Sequence, residues 1–163
     1  MRGPTRILAL VATLALLAFA GPARAGDATG PCDLAPAADE SVREFSSRLI
    51  QCATGRWEVP GGAQRAICIA RAESHLNPLA TSAGGVYLGL FQHSAEAWPD
   101  RYREWTQPAW GLDDSALSGR TNAIVTIRMV NAAGWGPWSG VDDCWIPNRH
   151  VLRERHPGSH GST

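Results

Sequence analysis

The sequence predicts a small α+β domain that is predominantly helical and tied together by disulfides. Three observations support this fold class. Apolar residues recur at helical spacing in several separate stretches. The chain has four cysteines, an even number, behind an export signal. Outside the helices, β-branched and aromatic residues cluster only at Val86-Tyr87-Leu88, which predicts a single short β-hairpin.

The first 25 residues have the pattern of a signal peptide. Arg2 and Arg6 precede an apolar run, and Gly21-Pro22-Ala23-Arg24-Ala25 ends in an A-x-A-like site, so we expect cleavage after Ala25. The alternative is a membrane anchor, but the run of about 14 residues is shorter than the roughly 20 that a spanning helix needs. We therefore expect a secreted protein without a stable membrane anchor.

The remaining chain divides into three parts. Residues 26–39 are rich in Gly, Ala and Pro and predict a flexible N-terminal arm, held at Cys32. Residues 40–146 carry the helical periodicity and form the predicted domain. Residues 147–163 predict a disordered tail, in which we interpret His156 and His160 as solvated rather than metal-binding. We therefore expect no metal and no cofactor.

The charge of the chain weighs against nucleic-acid binding. The 15 basic and 15 acidic residues give a formal net charge of zero. Three of the basic residues, Arg2, Arg6 and Arg24, lie in the signal segment, so the mature chain carries 12 − 15 = −3. No basic stripe is present, whereas proteins that bind phosphate backbones need one. We expect a monomer with no nucleic-acid partner.

Capping residues and proline predict the helix boundaries. Asp39 or Ser41 is expected to cap a first helix that ends near residues 53–55. Gly119 or Thr121 is expected to start a last helix that ends at the C-cap Gly134. The buried face of the first helix is predicted to consist of Val42, Phe45, Leu49 and Ile50.

The region around Pro99 predicts two shorter helices. His93-Ser94 can cap a helix over residues 95–98, and Pro99 can begin another that reaches Trp105. If the helical pattern continues through Pro99, then Trp98, Tyr102 and Trp105 share a face. We interpret that face as core packing, with a sugar-stacking wall as the alternative.

Glu73 is the candidate catalytic residue. Ala66, Ile67 and Ala70 precede it at helical spacing, and Asn77-Pro78 stops the helix soon after it. A carboxyl group at the end of such a helix has apolar neighbours on one side and an open loop on the other. Because burial disfavours its charged form and raises its pKa, the position suits a general acid.

The loop after Glu73 and a later Trp-rich segment resemble a known family. Glu73-Ser74-x-x-Asn77-Pro78, Ser82, Gly89-Leu90-Phe91-Gln92 and Val130-Asn131-Ala132-Ala133-Gly134-Trp135-Gly136-Pro137-Trp138 are similar to three motifs of lysozyme-like lytic transglycosylases, and the last is closest to secreted actinobacterial members. The resemblance spans about residues 63–139. The loop departs from the family pattern because Val86-Tyr87-Leu88 makes it longer by at least one residue.

The resemblance implies a lysozyme-like fold and a set of site residues. Glu73 would be the acid and base that cleaves the bond between N-acetylmuramic acid and N-acetylglucosamine in peptidoglycan glycan strands, leaving a 1,6-anhydro product, and the protein would be associated with the cell wall. One of Trp135 and Trp138 would contact substrate and the other would pack in the core. The implied substrate-binding residues are Ser74, Ser82, Tyr87, Gln92, Asn131, Trp135 and Trp138.

Two other functions remain open from the sequence. If water replaces the muramic 6-hydroxyl as acceptor, the enzyme is a muramidase. If the site is inactive, the chain is a cell-wall-binding module. Most glycosidases use two carboxylates, but we interpret the remaining acidic candidates as solvated charges. They are Glu96, Asp100, Asp113, Asp114, Asp142 and Asp143.

The four cysteines allow three disulfide pairings. Their spacing matches no zinc-binding pattern. We favour Cys32–Cys52, which would hold the N-terminal arm to the first helix. The same pairing joins Cys68 to Cys144, which would hold the helix of Glu73 to the segment after the tryptophan pair.

Overall fold

The computed structural model describes residues 30–145, which form four helices and a two-stranded sheet. The elements in chain order are α1 (Val42–Arg56), α2 (Gly62–Ser74), β1 (Tyr87–Leu88), β2 (His93–Ser94), α3 (Trp98–Trp105) and α4 (Gly119–Ala133). The predicted class, a mostly helical domain with disulfides and a small sheet, is confirmed. The expected signal peptide and the expected C-terminal tail from Pro147 onward lie outside the described residues.

Helix α4 is the buried centre of the domain. Its residues from Thr121 to Ile127 are all buried, and α1 and α3 both pack against it. A helix that is covered on most sides needs mainly apolar residues, and its buried polar side chains, Thr121, Asn122 and Thr126, are hydrogen-bonded within the domain. Ser118 caps its start, and the N–H of Gly134 donates to the carbonyl oxygen of Val130 at 2.8 Å. The predicted C-cap at Gly134 is confirmed.

Helix α1 begins with a reciprocal cap. The N–H of Glu44 donates to the hydroxyl of Ser41 at 3.2 Å, and the N–H of Ser41 donates to the carboxylate of Glu44 at 2.9 Å. This confirms Ser41 as the N-cap. The prediction that Val42 belongs to the buried face is wrong, because Val42 is 58% exposed and the buried stripe begins one turn later at Ser46.

The sheet is one antiparallel hairpin. Tyr87 pairs with Ser94, and Leu88 pairs with His93. The hairpin predicted at residues 86–88 is therefore present. The prediction that His93-Ser94 caps a helix over residues 95–98 is wrong, because the backbone of these residues is used in the ladder with β1. Helix α3 instead begins at Trp98, with Pro99 in its first turn.

Both favoured disulfides are present. Cys32 is bonded to Cys52, and Cys68 is bonded to Cys144. The N-terminal arm is held at more points than the predicted one at Cys32, at least from Gly30 onward. Arg120 donates to the carbonyl oxygen of Pro31 at 2.9 Å and forms an ion pair of 3.1 Å with Asp33. No helix within residues 30–145 is long and apolar enough to cross a membrane.

The face shared by Trp98, Tyr102 and Trp105 packs against the core. The indole N–H of Trp98 donates to the carbonyl oxygen of Asp114 at 2.6 Å, and the hydroxyl of Tyr102 donates to that of Leu112 at 2.8 Å. Trp98 is only 6% exposed, and the other two rings are partly buried against the same elements. The core-packing interpretation therefore describes this face better than a sugar-stacking wall.

Candidate active site

Glu73 lies in the last turn of α2, as the sequence predicts, and its side chain is partly buried. Burial alone raises the pKa of the Glu73 carboxyl above its usual range. Within residues 30–145 the carboxylate forms no hydrogen bond and no ion pair that would favour its charged form. A carboxyl group in this setting keeps its proton to a higher pH than an exposed glutamate, which is the property that a general acid needs.

The backbone turns sharply directly after Glu73. His75 and Leu76 both have left-handed backbone conformations, with φ of 55° and 61°. The N–H of His75 donates to the carbonyl oxygen of Arg71 at 2.9 Å, which closes the end of α2. Neither residue is a glycine, so each left-handed conformation costs about 1–2 kcal/mol. Strain of this kind concentrates at functional sites, where the surrounding structure holds it in place.

Ser74 connects the end of α2 to the hairpin. Its hydroxyl oxygen lies 2.8 Å from the carbonyl oxygen of Leu90 and 2.9 Å from that of Ala70. The hydroxyl has one proton, which both carbonyls share or use in turn. Because Ser74 is buried, its role is to position the helix end against the loop rather than to contact a ligand.

Gln92 is held in one orientation by its own amide. It has a left-handed backbone, with φ of 47°, and its side-chain NH₂ group donates to the carbonyl oxygens of Gly89 at 2.9 Å and Ala80 at 3.2 Å. Both amide protons are thereby used. The amide oxygen accepts no hydrogen bond from a residue of the described chain, so it can only act as an acceptor toward a ligand.

Asn122 holds the hairpin in place, and the sequence analysis did not identify it. Its side-chain oxygen accepts from the N–H of Phe91 at 3.1 Å, and its NH₂ group donates to the carbonyl oxygen of Ala116 at 2.8 Å. Gly89 must be glycine here, since a Cβ would lie 2.2 Å from both the carbonyl oxygen of Ala116 and the amide nitrogen of Asn122. The available signal was an asparagine directly before the apolar residues Ala123-Ile124-Val125 of α4.

His93 is a second residue that sequence reasoning missed. Its ring is fully buried, with Nδ1 2.8 Å from Nη1 of Arg101 and Nε2 2.7 Å from Oγ1 of Thr126. Arginine can only donate, so Nδ1 is the acceptor and Nε2 carries the proton. Burial, assisted by the charge of Arg101, lowers the pKa of His93 to about 3. His93 is therefore neutral and serves as a structural link.

Both tryptophans of the third motif are buried. The indole N–H of Trp135 donates to the carbonyl oxygen of Pro60 at 2.7 Å, and that of Trp138 donates to the carbonyl oxygen of Phe91 at 2.8 Å. Each ring is 5% exposed. Both rings are enclosed by α2, Phe91 and each other, and a contact of either ring with substrate stays a prediction.

The remaining predicted binding residues lie in different places. Ser82 lies in the loop before the hairpin, and its hydroxyl accepts from the N–H of Tyr87, the first residue of β1, at 2.9 Å. Tyr87 is 49% exposed. Asn131 donates to the carbonyl oxygen of Glu58 at 2.7 Å. Because Glu58 belongs to the connector that leads into α2, Asn131 lies near the start of that helix, whereas Glu73 lies at its other end.

The described part of the chain offers no metal site and no obvious second catalytic acid. No group of three His, Cys, Asp or Glu side chains within residues 30–145 could hold a metal ion. The other acidic candidates whose side chains are described are all exposed: Glu96, Asp100, Asp113, Asp114 and Asp143. Comparisons with models of known protein families, with curated proteins and with solved structures found no match.

Proposed function

We propose that the chain is a peptidoglycan-cleaving lytic transglycosylase on a lysozyme-like domain, with Glu73 as its acid and base. One observation carries the proposal. Glu73 is partly buried at the junction of a helix and a strained loop, and burial raises the pKa of its carboxyl, with no bond to another described residue. The order of the motifs around it supports the choice of substrate.

The proposed reaction needs one protein acid. Protonated Glu73 gives its proton to the glycosidic oxygen as the bond between N-acetylmuramic acid and N-acetylglucosamine breaks. The N-acetyl group of the muramic residue stabilises the positive charge that develops at its anomeric carbon. The carboxylate of Glu73 then takes the proton of the muramic 6-hydroxyl, whose oxygen closes the 1,6-anhydro ring. Water is not consumed, and Glu73 ends protonated as it began.

Gln92 has a defined part in this proposal. Because its NH₂ group is bonded to Gly89 and Ala80, only its amide oxygen is left for substrate. It would therefore accept a hydrogen bond from an N–H or O–H group of the sugar. Ser74 and Asn122 act indirectly, since they hold the Leu90–Phe91 backbone that carries Gln92.

The protein would act outside the cell as a monomer on the glycan strands of the wall. Two disulfides support an oxidising compartment, because such bonds persist in exported proteins. The signal-like pattern of residues 1–25 supports the same location.

Mass spectrometry of the soluble products released from purified peptidoglycan tests the reaction type. The expected products carry 1,6-anhydromuramic ends and are lighter by one water than hydrolysis products. Reducing muramic ends would mean that water is the acceptor and that the enzyme is a muramidase. Binding to the wall with no soluble product, from protein whose folding is verified by circular dichroism, would contradict an enzymatic role.

A further inference from the structure

A groove of about 890 Å³ lies between the N-terminal arm, α1 and the end of α2. We call it the arm groove, and its walls include Glu40, Arg43, Arg48 and Arg71. Glu73 is not among its lining residues, although Leu76 from the turn after Glu73 is. Its volume falls in the range of roughly 300–1,000 Å³ that is usual for small-ligand sites.

The wall that the arm contributes is firmly built. Arg48 forms a two-pronged ion pair with Glu40, with N–O distances of 2.5 and 2.7 Å, and also donates to the carbonyl oxygen of Ala35 at 2.9 Å. The Cys32–Cys52 disulfide joins the arm to α1 further along. These bonds hold the arm against α1 without a ligand. The groove is therefore preformed.

The groove carries charges of both signs. Arg71 comes from α2, next to the apolar side chain of Leu76, and it makes no ion pair within residues 30–145. The acidic residues Asp39 and Glu44 come from the arm and the first turn of α1, and the carboxylate of Glu44 already accepts from Ser41. Arg43 adds a second guanidinium group without an ion pair in the described chain. A ligand that pairs with these two arginines and with Asp39 carries both a carboxylate and an ammonium group.

We propose that the arm groove binds a short peptide that carries both a carboxylate and an ammonium group, with the carboxylate on Arg71. Bidentate hydrogen bonds from a guanidinium group are the strongest common contacts to a carboxylate. Ser47 and Gln51, which face the groove from α1, supply neutral hydrogen-bonding groups for the peptide backbone. We identify the peptide as one of the stems that branch from the cell-wall glycan, and this choice rests on the proposed function.

Isothermal titration calorimetry of the purified protein tests the site with two probes. The first is the stem tripeptide L-alanyl-γ-D-glutamyl-meso-diaminopimelate, and the second is the ordinary peptide L-Ala-L-Glu-L-Lys. We expect the stem tripeptide to bind and Arg71→Ala to weaken its affinity by about tenfold or more, which is the usual loss when a charged hydrogen-bond donor is removed. Arg103→Ala, an exposed arginine on α3, is the matched control and should change affinity less than about twofold.

Each outcome decides one part of the proposal. The site would be overturned if neither probe gave heat at about 10 mM. It would also be overturned if the Arg71→Ala and wild-type proteins bound the stem tripeptide with equal affinity. If the two tripeptides bind equally, the groove is still a peptide site, but the claim that its ligand is a peptide stem of the cell wall is overturned. Cleavage of glycan strands from which an amidase has removed the stems reports on the proposed function alone, so the two ideas can fail separately.

Discussion

The hydroxyl of Ser74 lies 2.8 Å from the carbonyl oxygen of Leu90, and this contact joins the helix of Glu73 to the hairpin of Gln92. The two residues are 16 positions apart in the chain. Because Ser74 is buried, no water can replace its hydroxyl at the Leu90 carbonyl. The relative placement of Glu73 and Gln92 therefore depends in part on this side chain, together with Asn122, which holds the neighbouring N–H of Phe91.

We expect Ser74→Ala to lower the free energy of unfolding by about 1–3 kcal/mol, since it leaves the Leu90 carbonyl without that donor in the core. Urea denaturation measures the change. Ser47→Ala is the matched control, because Ser47 also bonds a carbonyl one turn earlier, that of Arg43, but contacts no other element through its hydroxyl. The control should change stability by less than about 0.5 kcal/mol, and equal losses in both variants would contradict the argument.

His93 predicts a pH dependence of stability. Its folded-state pKa is lowered to about 3 from an unfolded value of 6.5, so between these values the unfolded chain binds one proton that the folded chain does not. The stabilising contribution is therefore complete above pH 6.5 and is lost as the pH falls below it. The limiting slope is about 1.4 kcal/mol per pH unit.

Urea titrations between pH 7 and 5 measure this slope, and the difference between wild type and His93→Gln isolates the residue. Glutamine can accept from Arg101 and donate to Thr126, so the variant keeps the contacts and should lose the slope. His75→Asn is the control variant, because it removes an exposed histidine at a left-handed position that asparagine tolerates. A wild-type slope that survives in His93→Gln would contradict the assignment.

Gly89 and Gly84 form a matched pair. Both have a left-handed backbone, with φ of 78° and 76°, but only at Gly89 would a Cβ collide with neighbouring atoms. Gly84→Ala should cost about 1–2 kcal/mol from its backbone conformation alone. Gly89→Ala should cost clearly more, because Ala116 and Asn122 must also move. Thermal denaturation of the two variants compares them, and equal midpoints would contradict the close packing at Gly89.

The two disulfides should contribute unequally to stability. Cys68–Cys144 spans 76 residues and Cys32–Cys52 spans 20. From the entropy of loop closure, the two bonds should stabilise the fold by about 4.5 and 3.3 kcal/mol, respectively. Replacing Cys68 and Cys144 by alanine should therefore lower the unfolding free energy more than replacing Cys32 and Cys52. Guanidinium denaturation of the two double variants measures this order. The reverse order would mean that the arm, not the link to α2, limits unfolding.

The sequence predicted features whose signals are local. Glu73 falls at a helix end because Asn77-Pro78 stops the helix within a few residues, and the caps at Ser41 and Gly134 depend on neighbouring backbone groups. The disulfide pairing was favoured among three possible pairings because of the segments that its two bonds would join, and the structure has it.

Apart from the Cys68–Cys144 disulfide, contacts of side chains with distant partners were not predicted. His93 meets Thr126, which is 33 positions away, and only this contact and Arg101 explain why a histidine is buried. Trp135 is fixed by a carbonyl 75 positions away, which draws its ring inward. The β-strand at His93-Ser94 likewise depends on its partner β1, whereas its own residues suggested a helix cap.

The most direct test of the central claim is the rate at which Glu73→Gln releases soluble products from purified peptidoglycan. The variant keeps the size of the side chain but removes the transferable proton, so we expect the rate to fall by about 10²–10⁴-fold while the unfolding midpoint stays near that of wild type. Glu96→Gln, which changes an exposed carboxylate, should retain the wild-type rate. A folded Glu73→Gln protein that cleaves at the wild-type rate would contradict the assignment of Glu73 as the acid.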